Sequence, residues 1–260
     1  QGAVLACLAA AGADVHAPGS DGVSAAETVV RRAVGHSIVP LCLALADKGV
    51  GPFAGAWRPP LALANRPPPL RPVVTELIPR TRQHPGAGSC IIDGAFSKET
   101  LDALESLFHR LPLAPRLKTT SGKNDRSYLL DGEGWVQEHL QAAVRLCGQV
   151  APCEGHAMMQ MRYLLYAEPG GGLPPHVDLS RTDEEGRKST HTFILYLTPC
   201  ASGGETVLLE RLGHEEKATI LASVPPVRGR LLLFPHACPH LAREVTAQGL
   251  PKLLLRGEML

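Results

Sequence analysis

The stretch "LPPHVDLS" (residues 173–180) sets His176 and Asp178 two positions apart, directly after Pro174 and Pro175. Proline fixes φ and steers the residue before it away from the helical region, so an extended backbone is expected here. In extended chain, residues two apart project from the same face. The imidazole and the carboxylate can therefore converge on one point, as metal ligands must. Two donors make a weak site, and a third has to come from a distant strand. The run "GRLLLFPHACPHLAREV" (229–245) reads as a buried strand followed by His236 and His240, either of which could complete the set.

Two imidazoles and one carboxylate form the facial donor set that leaves three octahedral positions open on non-haem Fe(II). Hydrolytic zinc accepts the same donors. A cationic residue further along discriminates between the two. Lys252 and Arg256 lie four apart in "PKLLLRGE", so on a strand they face the same side. A charge among Leu253, Leu254 and Leu255 is costly to bury without an anion, and a dicarboxylate co-substrate would supply one. A zinc hydrolase would leave Lys252 without a role, and no obvious general base accompanies the triad.

The elements that must position these residues follow from apolar spacing. "SKETLDALESLFHR" begins with Ser97 as an N-cap and carries apolar residues at 101, 104, 107 and 108, an amphipathic helix. "GWVQEHLQAAVRLC" (134–147) reads likewise. After residue 157 eight short strands are expected: "MMQMRYLLY", "PPHVD", "HTFILYLT", "ETVLLE", "KATILAS", "RLLLF", "HLAREV" and "KLLLR". Separated by Gly/Pro turns, they predict a double-sheet β core with the two helices packed against one sheet. "GGETV" (203–207) reads as a turn entering a strand. The polar segment 179–191 is either a lid or a solvated loop. His109, His139, His156, His191 and His214 lack any partner pattern and are expected at the surface.

Composition bounds the rest. The chain is 44% hydrophobic and 20% charged with a net charge of +1, so neither nucleic acid nor an anionic membrane surface is expected as partner. No apolar run approaches the ~20 residues of a membrane span. Seven cysteines, an odd number without a C-x-x-C, read as free thiols of a reducing compartment, the cytoplasm. Residues 52–72 hold seven of the 23 prolines, which predicts a stiff connector over residues 51–72. Before it, residues 1–50 resemble an ankyrin repeat through Gly12-Ala13-Asp14-Val15, Asp21-Gly22, Gly35-His36 and a closing apolar helix. They depart from it at Ser24-Ala25-Ala26-Glu27, where the family places a Thr-Pro-Leu-His turn. One and a half repeats bury little core alone, and the chain begins with Gln, so it is expected to be part of a longer polypeptide.

Residues 86–260 resemble the 2-oxoglutarate/Fe(II)-dependent dioxygenase domain of the prolyl 4-hydroxylase type, and the domain is expected to span residues 73–260. "IIDGAFSKETLDAL", "NDRSYLL", "MRYLLYAEPGGGLPPHVD", "FILYLT", "GGETVLL", "GRLLLFPHACPHLAREV" and "KLLLRGEML" carry the resemblance in order. It implies a double-stranded β-helix, or jelly roll, with supporting helices. It assigns the metal to His176, Asp178 and His240, with His236 a non-ligand. It assigns 2-oxoglutarate to Lys252, with Arg256 as the alternative, and to Tyr166, while Tyr163 points to the opposite face. Arg126 resembles a position near the site mouth and is a candidate substrate contact. The implied reaction uses Fe(II), 2-oxoglutarate, O2 and L-ascorbate to hydroxylate a protein or peptide, at proline, releasing succinate and CO2. Ankyrin repeats would recruit that substrate. The alternative is a non-catalytic ankyrin/jelly-roll interaction scaffold.

Overall fold

The computed structural model describes residues 72–111, 123–132, 134–146, 153, 155–183, 185–213 and 219–260, with 12–14, 17 and 20 near the start. Apart from those few positions, the ankyrin-like segment and the proline-rich connector lie outside the described residues.

Two antiparallel sheets form the core. The larger holds β1 (Val73–Glu76), β2 (Cys90–Asp93), β3 (Asp125–Leu130), β4 (Gln160–Tyr166), β6 (His191–Tyr196), β9 (Leu231–Pro235) and β11 (Lys252–Met259), in the order β1-β2-β9-β6-β11-β4-β3. The smaller is β5 (Leu173–His176), β10 (His240–Ala242), β7 (Thr206–Leu209) and β8 (Ile220–Val224), in that order. All eight strands expected after residue 157 form. They divide four and four between the sheets, and apart from the β7–β8 pair consecutive strands cross from one sheet to the other, as in a jelly roll.

Residue alternation shows why such apolar strands are needed. Along β4, β6, β9 and β11, Leu164, Tyr166, Ile194, Tyr196, Leu232, Phe234 and Leu254 pack between the sheets. Their neighbours Met161, Tyr163, Phe193, Leu195, Leu231, Leu233, Leu253 and Leu255 face outward under the helices. Both faces are buried, so the strands read as continuous apolar runs instead of alternating ones.

Helix α1 (Lys98–Phe108) starts where Ser97 Oγ accepts the Thr100 N–H at 3.2 Å, and it buries Leu101, Leu104, Leu107 and Phe108. Helix α2 (Trp135–Arg145) has no side-chain cap from Gly134. The buried carboxylate of Asp131 instead accepts the Gln137 N–H at 2.8 Å, as an anion at a helix N-terminus should. Tyr163 ties β4 to α1 by donating to the Leu104 carbonyl at 3.0 Å. Replacing Leu104 by Ala should therefore cost about 2–5 kcal/mol in urea unfolding, and Ser97→Ala only about 1. Equal small losses would show that the helix contributes little by docking on the sheet.

Candidate metal centre

The register of β10 against β5 sets His240 opposite His176, and residues opposite each other in an antiparallel pair share a face. Their ring centroids lie 4.2 Å apart. Asp178 follows just past the end of β5, where its backbone N–H donates to the His236 carbonyl at 3.0 Å. The donor atoms of His176, Asp178 and His240 all lie within 4.8 Å of one another. His176 Nε2 stands 3.9 Å from Asp178 Oδ1, and His240 Nε2 stands 3.6 Å from Oδ2. Ligand bonds of about 2.1 Å would hold donors about 3 Å apart at right angles and about 4.2 Å apart in line. The set fits one divalent ion.

Local hydrogen bonds aim the rings. His176 Nδ1 donates to the Pro174 carbonyl at 2.7 Å, and His240 Nδ1 donates to the Cys238 carbonyl at 2.9 Å. Carbonyls only accept, so each Nε2 keeps a free lone pair for a metal. Burial pushes His240 down to about 4, outweighing the opposing pull of Asp178. Its ring is therefore neutral at pH 7, as a ligand must be.

Asp178 is held from two sides. Arg256 Nη2 pairs with Oδ1, and Thr192 Oγ1 donates to Oδ2 at 2.6 Å. Having donated there, the Thr192 hydroxyl accepts from His236 Nδ1 at 2.9 Å. His236 Nε2 then accepts from Ser189 Oγ at 2.8 Å, and Ser189 Oγ accepts the Arg181 N–H at 2.8 Å. Burial holds His236 below its ordinary pKa, which matches this neutral tautomer. The second histidine of "PHACPH" thus belongs to the cluster, while the first orients the carboxylate through Thr192. Sequence reasoning passed over Thr192 and Ser189. The available signal was Thr192 itself, a hydroxyl at an inward position of the apolar strand "HTFILYLT".

The polar segment after Asp178 is a tight hairpin. Thr182 bridges Lys188, Asp183 Oδ1 accepts the N–H groups of Glu185 and Arg187, and Ser180 Oγ donates to the Ser189 carbonyl. His139 and His191 are half-buried and not at the surface. Each is drawn in by a local partner, the Trp135 carbonyl for His139 and the Thr190 hydroxyl for His191.

Lys252 and Arg256 share the inner face of β11 but meet different groups. Lys252 is 1% exposed and pairs across the ladder with Tyr166. Its ammonium donates to the Gly204 carbonyl at 2.6 Å and stands 4.7 Å from the Tyr166 ring centroid. Among the described residues no carboxylate forms an ion pair with it, and desolvation lowers its pKa to about 8. Gly204 has φ +71°, and a Cβ there would press on Lys252 Cδ at 3.1 Å, so glycine is what admits the lysine. Arg256 instead bridges Asp178 and Glu258. Tyr166 is buried, and desolvation raises its hydroxyl to about 12. Tyr163 packs on the outer face, in the helix-covered cluster. Arg126 lies on β3, in register with Leu164, and its Nε donates to Asn124 Oδ1 at 3.2 Å.

Mn(II) titration of substituted chains separates the two histidines. His240→Ala should abolish binding, whereas His236→Ala should weaken it about 10–100-fold by loosening Asp178. Equal effects would contradict the assignment.

Residues 159–257 match the sequence profile of the 2OG-Fe(II) oxygenase superfamily, a stretch that contains His176, Asp178, His240, Lys252 and Arg256. No curated protein matches the chain. Among similar solved structures is a Pseudomonas putida prolyl-4-hydroxylase, 20% identical, covering 68% of this chain and 92% of that one at TM-score 0.48. Another is a Trichoplax adhaerens prolyl hydroxylase in complex with a hypoxia inducible factor oxygen degradation domain peptide fragment, 16% identical, covering 66% and 83% at TM-score 0.45. A third is HygX from Streptomyces hygroscopicus with nickel, 2-oxoglutarate and hygromycin B bound, 18% identical, covering 65% and 81% at TM-score 0.46. The matched stretch contains strands β4 to β10 and the three clustered donors.

Proposed function

We propose that the chain is a 2-oxoglutarate- and Fe(II)-dependent dioxygenase that hydroxylates a protein or peptide substrate, at proline, and releases succinate and CO2. One observation carries this reading: two imidazoles and a carboxylate converge from β5, its end and β10, on a jelly roll that also buries an ammonium which, among the described residues, forms no ion pair. A scaffold has no physical reason to hold four such groups in place.

Bound by His176, Asp178 and His240, Fe(II) would supply O2 activation coupled to decarboxylation of 2-oxoglutarate. The chain's own groups bind and orient. Pro174 and Cys238 carbonyls keep both Nε2 atoms aimed, and Thr192 and Arg256 fix the plane of the Asp178 carboxylate. Lys252, over the Tyr166 ring, takes the distal carboxylate of 2-oxoglutarate; among the described residues it forms no ion pair, whereas Arg256 forms two. One oxygen atom enters the substrate as hydroxyl and the other enters succinate. Proline as the target, ascorbate as reductant and recruitment by ankyrin repeats rest on the resemblance in the sequence. The cytoplasm rests on that resemblance together with the odd number of cysteines and the lack of a C-x-x-C. Among the described residues no helix is long and apolar enough to cross a membrane.

Succinate formed from 2-oxoglutarate with added Fe(II) and ascorbate tests the reading. Wild type should produce it, with proline-rich peptides included, and His176→Ala should not. Equal background rates from both would favour the scaffold.

The buried ammonium adds a pH signature. It loses its proton as pH rises through about 8, so binding a dianion above that pH requires proton uptake. The affinity for 2-oxoglutarate should hold below pH 8 and weaken above it. Lys252→Met should lower the affinity about a hundredfold and remove the slope. A slope retained in the variant would contradict this role.

A further inference from the structure

We propose that Arg162 and Arg181 form a carboxylate-binding subsite for the substrate, beside the metal centre, so that the chain selects an acidic substrate. The inference rests on the oxygenase reading and names the chemistry that its substrate must carry.

An imbalance of charge carries it. Arg162 Nη2, Arg181 Nε and Arg256 Nη1 each stand 3.5 Å from the same atom, Glu258 Oε1. Arg256 has a second acid in Asp178, but among the described residues Arg162 and Arg181 form ion pairs with Glu258 alone. A guanidinium stays charged at every accessible pH and offers a planar fork of donors. One distant carboxylate oxygen cannot satisfy two such forks. Arg126, two rungs from Tyr128 on β3, adds a fourth cation to this end of the barrel. Among the described residues, four guanidiniums thus gather about two carboxylates, Asp178 and Glu258. A divalent ion and a dicarboxylate co-substrate would cancel each other and leave that excess in place.

The excess faces open space. Tyr128, Gln160, Met161, Arg162, Arg181 and Glu258 line a shallow cleft that is half open to solvent. Its walls are fixed. Tyr128 and Arg162 are cross-strand partners, and Arg162 pairs in turn with Arg256. Arg181 sits three residues beyond Asp178 on the hairpin that Ser189 ties down. The cleft is therefore joined to the metal centre through Arg256 and Asp178. A carboxylate seated between Arg162 and Arg181 would hold the rest of its molecule against the three donors. Burial, joined by the neighbouring Arg181 and Arg126, works against the charge of Arg162 and outweighs the support of Glu258 and Asp178, a cost that an incoming anion would relieve.

The carboxylate could belong to a peptide side chain or to a free small acid, and one experiment separates the two. Three fluorescein-labelled hexapeptides with Glu, Gln or Lys on both sides of a central proline are titrated into the whole chain, with and without Mn(II) and 2-oxoglutarate, and N-acetylglutamate is used as competitor. Expected is binding of the Glu peptide about tenfold tighter than the Gln peptide, with the Lys peptide weakest. Arg181→Gln and Arg162→Gln/Arg181→Gln should reduce that preference to near unity. Binding of N-acetylglutamate alone, with the same dependence on the arginines, would assign the subsite to a small acid. Equal affinity for the Glu and Gln peptides, no binding of any probe, or a preference that survives the double substitution would overturn the proposal. Failure of wild type to take up Mn(II) and 2-oxoglutarate would count against the oxygenase reading instead, while the charge preference stays readable in the metal-free chain.

Discussion

The site depends above all on the pairing of β10 with β5. Side chains alternate with a period of two, so a slip of one residue would turn His240 away from His176 and dissolve the cluster. The register is protected on both edges of β10. On one side His240 opposes His176; on the other it opposes Leu208 of β7. At the entrance to β5 the chain passes so close to β10 that a Cβ on Gly172 would meet the Ala242 carbonyl at 2.7 Å. Glycine there is what lets β5 reach its partner. Asp178 is added from the strand end by one backbone bond to His236, so all three donors are placed by main-chain geometry before any metal contributes.

A second constraint is the placement of charge inside a barrel lined largely by apolar groups. Lys252 and Arg256 are four residues apart, about 13 Å along the strand, with Leu254 between them on the same face. Lys252 ends in a lining of aromatic rings and a carbonyl; Arg256 ends among acids and other guanidiniums. The intervening apolar rungs keep the two electrostatic environments separate. One lysine can then receive an anion while the arginine braces Asp178.

Much of this was legible in the residues. The eight strands of the jelly roll announced themselves through apolar runs between Gly/Pro turns, and both helices through 3.6-residue spacing and the Ser97 cap. The pairing of His176 with Asp178 followed from two prolines and a period of two. Strands β1, β2 and β3 were not anticipated as strands. "VVTE" is an exposed edge, "CIID" is only four residues long, and "DRSYLL" carries charge inward, so each lacks the apolar signature. Side-chain networks were the other gap. That Thr192 would meet both Asp178 and His236, or that Arg162 and Arg181 would share Glu258, depends on register between strands far apart in sequence. The shared face of Lys252 and Arg256 was readable, but which acids each would meet depended on β4, β6 and the hairpin after Asp178.

The central claim is that one end of this barrel holds Fe(II) and 2-oxoglutarate together. Anaerobic titration of the whole chain with both, followed by visible charge-transfer absorbance and equilibrium dialysis, tests it most directly. The account predicts one Fe(II) per chain, one 2-oxoglutarate that binds with it, and loss of the absorbance in Asp178→Ala. A chain that takes up neither, or a chromophore unchanged by that substitution, would contradict it.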